Sequence, residues 1–329
     1  MTASLRIGVI GTGNFGERHV ASYARRPDVD LVGVVDRDAD RAQSVAARWG
    51  IPHWFTDSED LLRTCRPNGV SVVTSGRNHL QPSLAALAGD CSVLLEKPIT
   101  LSTRDADELV DAERRSTAFV IPAHILRFSA PYQELVTRVR SGQIGRVIGI
   151  ATVRDRGRDH AQLFADVHPA LMTAIHDIDL ALWITGARAV RVTAQGRGEK
   201  VDEMPRLVWA QVEASDGSVW ALRVSWLLSD DAPGSDKLEV YGTAGVATLH
   251  LRPTVALFTE SSTWVDHELT PDAHYPGALD HEIDHFCALL RSNDRTPAVT
   301  LEEARHGIEI AEAMMRSIEN SGALTELGG

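Results

Sequence analysis

GVIGTGNFGERH, residues 8–19, places Gly11, Gly13 and Gly16 in the spacing G-x-G-x-x-G. The spacing alone is weak evidence; its setting gives it weight. The apolar run LRIGVI (Leu5–Ile10) precedes it as a buried strand, a helical pattern follows from residue 14 to about 26, and VDLVGVVD (residues 29–36) reads as a second strand. In such a strand–turn–helix–strand unit the first glycine permits the tight turn. The second lets a pyrophosphate approach the backbone, and the third lets helix and strand pack closely. The free N–H groups and positive dipole at the helix start favour phosphate. Gly11, Thr12, Gly13, Asn14, Phe15 and Gly16 are therefore the expected phosphate loop.

Asp36 lies twenty residues after Gly16, at the end of the second strand. A carboxylate there accepts from the adenosine ribose hydroxyls and repels a 2′-phosphate, which favours NAD. Arg37 beside it can hold such a phosphate, so NADP stays open.

Outward from this unit, apolar runs keep alternating with helical patterns: helices over DADRAQSVAARWG and residues 56–63, and strands at GVSVVTS and CSVLLEKP. That alternation predicts a parallel sheet covered on both faces, a Rossmann dinucleotide-binding domain over residues 1–122. Beyond it, RLVWAQVEASDGSVWALRVSWLL folds back at Asp216-Gly217, and KLEVYGTAGVATLHL folds back between Gly242 and Gly245. Residues 123–329 are thus expected to form an α+β domain with a large open, mostly antiparallel sheet. Its last helix, about 300–319, opens with the capping box Thr300–Glu303 and is expected to return near the first domain.

Composition bounds the function. A net charge of -12, from 33 basic and 45 acidic residues, would repel a phosphate backbone and argues against nucleic acid as partner. Three scattered cysteines without a CxxC pair predict a reduced cytoplasmic protein with no disulfide or zinc framework. No apolar run approaches the ~20 residues of a membrane span, and no metal is expected.

LLEKPIT sets Glu96, Lys97 and Pro98 at the carboxyl end of a strand, where ligands of open α/β sheets bind. A lysine there can donate to a substrate oxygen, with a cis bond to Pro98 available. SGRNHLQ also follows a strand end, on the nicotinamide side, so Ser75 and Asn78 join Glu96 and Lys97 as expected cofactor neighbours. ALMTAIHDIDLALW, from residue 170, seats His176 at the edge of an apolar helical stripe, with Asp179 one turn on and Asp177 turned away. His168, before Pro169, suits an N-cap.

GVIGTGNFGERH, LLEKPIT and AIHDIDLALW, in this order, together with AHILRF, SGQIGRV, LEVYGTAG and the closing TPAVTLEEARHGIEIAEAMMRSIENSG, resemble the Gfo/Idh/MocA oxidoreductases over nearly the whole chain. The resemblance implies NAD(P)-dependent hydride transfer at a secondary alcohol of a sugar, nucleotide sugar or cyclitol. It implies Lys97 and His176 as the catalytic pair, and a homodimer or homotetramer formed through the back of the second sheet. Met172 departs from the pattern, since many relatives carry aspartate four residues before the histidine. Either catalysis rests on Lys97 and His176, with Met172 shaping a less polar pocket, or hydride chemistry is lost and the protein is a dinucleotide-binding regulator. A redox-neutral, NAD-dependent glycoside-cleaving enzyme is a further alternative. Asp179, Met172, His124 and Arg127 are the candidate substrate contacts; His124 and Arg127 serve equally as packing residues at the crossover. His274 and Tyr275 sit in a predicted loop within reach of the pocket.

Overall fold

The computed structural model describes residues 4–198, 200, 203–229, 234–250, 254–258, 263–266, 277–292 and 296–328, with 254–258 and 263–266 as backbone only. His274 and Tyr275 lie outside the described residues. The chain divides into two compact units, Met1–Ile125 with Gly277–Arg305, and Leu126–Pro276 with His306–Gly329.

The first unit is a six-stranded parallel sheet. Its strands are β1 (Leu5–Ile10), β2 (Val29–Val35), β3 (Trp54–Phe55), β4 (Gly69–Val72), β5 (Ser92–Glu96) and β6 (Val120–Ala123), in the order β3-β2-β1-β4-β5-β6. The order reverses between β1 and β4, and a crevice opens at such a switch beyond the carboxyl ends of the strands. Helices α1 (Asn14–Ala24), α2 (Ala39–Trp49), α3 (Ser58–Cys65), α4 (Leu80–Ala88) and α5 (Thr103–Arg115) connect them. Local chemistry sets their ends. Asp38 and Asp57 side chains accept from Arg41 N and Glu59 N to open α2 and α3, and left-handed Gly50 closes α2. The strands are apolar on both sides; Ile7, Val9, Val34, Val70 and Leu94 are fully buried.

A single cut after residue 122 does not capture this unit. The chain re-enters it with the helix Ala278–Arg291, which buries Ile283, Phe286, Cys287 and Leu289 in the same core as Leu5, Ile7, Val9 and Val20. The fit is tight: a β-carbon at Gly69 would lie 2.7 Å from the Phe286 ring.

The second unit is built on a nine-stranded sheet of β7 (Val147–Gly157), β8 (Ala189–Arg197), β9 (Leu207–Ala214), β10 (Val219–Leu228), β11 (Ser235–Gly242), β12 (Gly245–His250), β13 (Thr254–Phe258), β14 (Thr263–Asp266) and β15 (Thr325–Glu326). The order is β14-β13-β12-β11-β7-β10-β9-β8-β15; β7 and β10 run parallel and every other pair is antiparallel. Both expected hairpins form, with Gly217 at φ 82° in the first and Gly242 paired to Gly245 in the second. Burial alternates along the strands: Val208, Ala210 and Val212 face inward with Trp220, Leu222 and Val224, while Trp209 is 57% exposed.

The ALMTAIHDIDLALW segment is not one helix. It forms Pro169–Met172, breaks at Thr173, and resumes as Ala174–Thr185. Thr173 takes φ -116° and its Oγ1 accepts from Trp226 Nε1 at 2.9 Å, a bond from β10 that sequence spacing cannot reveal. His168 does cap the first piece, its Nδ1 accepting from Ala170 N at 3.1 Å. Burial pushes this imidazole down to about 4, so it is neutral in the folded chain at pH 7.

A histidine with a depressed folded pKa binds fewer protons folded than unfolded. Stability is therefore full above the unfolded value near 6.5 and falls as pH drops toward 4, by up to about 3 kcal/mol. Urea unfolding across that window should show this slope in the native chain and a flatter one in His168→Asn, which keeps a capping acceptor. Identical slopes would mean that His168 does not carry the effect. The other expected cap also forms: Glu303 N donates to Thr300 Oγ1 at 3.1 Å and Thr300 N to Glu303 Oε2 at 2.8 Å.

Candidate cofactor and active site

The glycine loop leaves β1 as its residue types require. Gly11 takes φ +96°, and a β-carbon there would meet the Val73 backbone at 2.6 Å. A β-carbon on Gly16 would lie 1.9 Å from Gly11 O, which fixes the close turn–helix packing. Nothing lies within 4 Å of the corresponding position at Gly13, so this backbone is open to a ligand. Gly13 is also the N-cap of α1, and no side chain caps that helix. Together these features fit a dinucleotide pyrophosphate.

A cleft of about 430 Å³ runs from this loop along the strand ends. Of the expected cofactor residues, Gly11, Gly13, Asp36, Arg37, Ser75 and Asn78 line it. Thr12 and Gly16 are buried behind the loop, and Asn14 and Phe15 open α1 in exposed positions. Arg41 and Thr74, which sequence reading did not single out, also line the cleft, as do Arg77 of the SGRNHLQ loop and Thr56, Asp57 and Ser58 at the start of α3, read from sequence only as a loop residue and as capping residues. The available signal was their position immediately after strand ends.

Asp36 is the electrostatic centre of the cleft. Its Oδ2 accepts from Thr12 N (2.9 Å) and Thr12 Oγ1 (3.0 Å); its Oδ1 accepts from Asp38 N (3.0 Å) and Arg41 Nη1 (3.5 Å). Partial burial works against the charge, but the donors from Asp38 and Thr12 and the Arg41 guanidinium outweigh it, holding the carboxyl below its ordinary range. The arginine that meets the Asp36 carboxylate is Arg41, on α2.

Glu96 ends β5 buried, with Oε1 3.2 Å from His19 Nε2 and Oε2 accepting from Lys97 N at 3.1 Å. His19 is fully buried and also approaches Ser71 Oγ at 3.3 Å, so it packs α1 onto the sheet. Lys97 is half-buried, and its bond to Pro98 is cis. His79, given no role from sequence, is buried between the carbonyls of Thr74 and Pro98. His124 is buried just beyond β6, its N–H donating to Pro122 O at 2.8 Å.

In the second unit His176 and Met172 are both half-buried, on either side of the Thr173 break. Asp179 and Arg127 pair with one another: Arg127 Nε donates at 3.0 and 3.1 Å, and Nη2 at 2.7 Å, with both side chains 3% exposed. Trp183 lies under the same guanidinium at 5.8 Å. The expected role of Asp179 beside the imidazole therefore has a strong competitor in Arg127, 52 residues away. Asp177, expected to turn away, goes into the core and accepts from Arg154 Nε at 3.0 Å and Nη2 at 2.9 Å.

An open glycine turn, a parallel sheet with its switch beside that turn, and an acidic residue closing β2 define an NAD-binding domain. Residues 5–124 match the description "Oxidoreductase family, NAD-binding Rossmann fold", and residues 132–248 match "GFO/IDH/MocA C-terminal domain". The chain is 26% identical over 337 residues to scyllo-inositol 2-dehydrogenase (NAD(+)) of Bacillus subtilis (strain 168), covering 97% of this chain and 96% of that one. It is 32% identical over 228 residues to UDP-N-acetylglucosamine 3-dehydrogenase of Acidithiobacillus ferrooxidans, covering 69% of each. A solved structure of the Acidithiobacillus ferrooxidans enzyme superposes with TM-score 0.84 at 26% identity, covering 97% of this chain and 99% of that one. The chain belongs to the Gfo/Idh/MocA family of oxidoreductases.

Proposed function

We propose that this protein is an NAD-dependent dehydrogenase that interconverts a secondary alcohol and a ketone on a sugar, nucleotide sugar or cyclitol. The observation that carries this reading is family membership together with an intact glycine cradle whose Gly13 backbone is open. Bound NAD supplies a hydride acceptor. Asp36 would accept from the adenosine ribose hydroxyls of a bound NAD. Lys97 donates to the reacting oxygen and polarises it, and His176 exchanges the hydroxyl proton as the carbinol hydrogen leaves with its electron pair. Such acid–base assistance typically contributes about 10²–10⁴-fold. Met172 takes no proton and shapes an apolar wall; His124 and the Arg127–Asp179 pair brace the substrate side.

The test is NADH absorbance after mixing the protein with NAD and a panel of inositols, aminocyclitols, free sugars and nucleotide sugars, with NADP in parallel. A signal from one class names the substrate. Asp36→Ala should then raise the KM for NAD by about tenfold and narrow the gap to NADP, matching the loss of a charge-assisted bond. Failure to bind NAD at all would end the proposal. Turnover of glycosides without net NADH would replace it with the redox-neutral reading.

The same proposal places the protein in the cytoplasm as a homodimer or homotetramer. Its three cysteines are buried and free, and among the described residues no helix is long and apolar enough to cross a membrane. The outward face of the second sheet, with Trp209 at its surface, is the proposed subunit contact. A monomer by light scattering at micromolar concentration would remove that part of the reading.

A further inference from the structure

His79 is 1% exposed and stands between two acceptors. Pro98 O lies 2.8 Å from Nδ1, and Thr74 O lies 2.9 Å from Nε2. A neutral imidazole carries one N–H, so it satisfies one carbonyl and turns a lone pair toward the other; an imidazolium donates to both. The two carbonyls belong to two different segments. Thr74 lines the cofactor cleft, and Pro98 directly follows Lys97.

The backbone that carries the ring is itself fixed. Ser83 Oγ donates to His79 O at 2.7 Å, and Thr74 Oγ1 donates to Asn78 O at 3.0 Å. The ring is therefore a direct hydrogen-bonded link between a closed loop and the Lys97 turn. Burial opposes charge on the imidazole and, with Lys97 adding to it, outweighs the two carbonyls and Glu96, so the ring gives up its second proton below the ordinary imidazole range and is held at both ends only toward low pH. Glu96 is in turn shared with His19 and with Lys97 N.

We propose that His79 is a positioning residue that ties the Lys97 turn to the cofactor loop, and that it grips both ends only when its imidazole is protonated. The functional consequence rests on the reading of Lys97 as the group at the reacting oxygen. A protonated ring also places a positive charge close to Lys97, so the two titrations are linked.

The NAD-loaded protein supplies the test. Ring-nitrogen NMR of His79 is followed from about pH 5 to 8, and acetylation of Lys97 by acetic anhydride is measured by peptide mass spectrometry over the same range. The expected result is a His79 titration with a matching inflection in the Lys97 profile. That inflection should be absent from His79→Gln and His79→Phe, whose Lys97 rate near pH 6 should differ from the native rate by about threefold or more. Calorimetric NAD affinity serves as the folding control, and His79→Gln keeps the test open if the phenylalanine variant fails to fold. Profiles that overlay in native and variant protein, or a ring that stays singly protonated throughout, would overturn the proposal. Unchanged turnover in Lys97→Met would instead remove the catalytic reading of Lys97 and leave the measured linkage standing.

Discussion

Lys97→Met is expected to lower turnover by at least about 10²–10⁴-fold while changing NAD affinity by about twofold or less. The substitution keeps a long unbranched side chain and removes only the ammonium. The backbone that holds it is unaffected, because Lys97 N is fixed by the Glu96 carboxylate and Pro98 O by His79. In the proposed role of Lys97 the loss should fall on kcat rather than KM, since a bond from its ammonium to the reacting oxygen would strengthen as negative charge develops there. Lys97→Arg restores the charge without an easily transferred proton, so it separates polarisation from proton exchange. Steady-state kinetics on the substrate class found by the panel, with calorimetric NAD binding alongside, is the check. Full turnover in Lys97→Met would show that the chemistry is carried elsewhere.

Arg154→Met is expected to cost about 3–5 kcal/mol of stability, the usual effect of stripping one partner from a buried ionic cluster. Arg154 is 1% exposed on β7 and joins Asp177, on the helix Ala174–Thr185, to Asp236 on β11. Asp236 also accepts from Arg156 Nη2 at 3.1 Å, so it retains a cation after the substitution. Asp177 loses the guanidinium that both of its oxygens use. Burial already raises the Asp177 pKa, Arg154 offsets part of that effect, and Asp236 adds to the rise.

A carboxyl with a raised folded pKa binds more protons folded than unfolded, so its contribution grows more favourable as pH falls. The deficit of Arg154→Met should therefore shrink between pH 7 and about pH 5. Replacing Asp177 as well, by leucine, should recover much of the loss. Urea unfolding of the native chain, both single variants and the double variant measures all of this. A loss below about 1 kcal/mol, or one independent of pH, would show that the cluster is not what fixes helix to sheet.

The parts of this structure that could be read in advance are those whose cause lies within a few residues. The glycine loop is one: Gly11, Gly13 and Gly16 answer to a local turn, an open backbone and a local packing contact. The caps at His168 and Thr300 are of the same kind. What stayed hidden depends on partners far along the chain. The helix break at Thr173 is accompanied by an indole from β10 that meets its hydroxyl. The pairing of Asp179 with Arg127, and of Asp177 with Arg154, requires knowing which element lies against which. Helical spacing around His176 offered Asp179 as a ring partner, and an arginine from another element answers it. The parallel pairing of β7 with β10 is likewise a product of topology, since two stretches with the same alternation pair in either direction. Arg41 rather than Arg37 meets Asp36 because α2 carries it back over the strand end.

The return of residues 277–305 to the first unit sets an order of events during synthesis. The ribosome delivers the parallel sheet well before Ile283, Phe286 and Cys287, which complete its core. In the interval the pocket beside Gly69 and Val20 stays uncovered, an apolar patch of the kind that attracts chaperones and neighbouring chains. A nascent chain stalled between residues 124 and 277 carries an intact glycine loop on a sheet that has not yet closed its core.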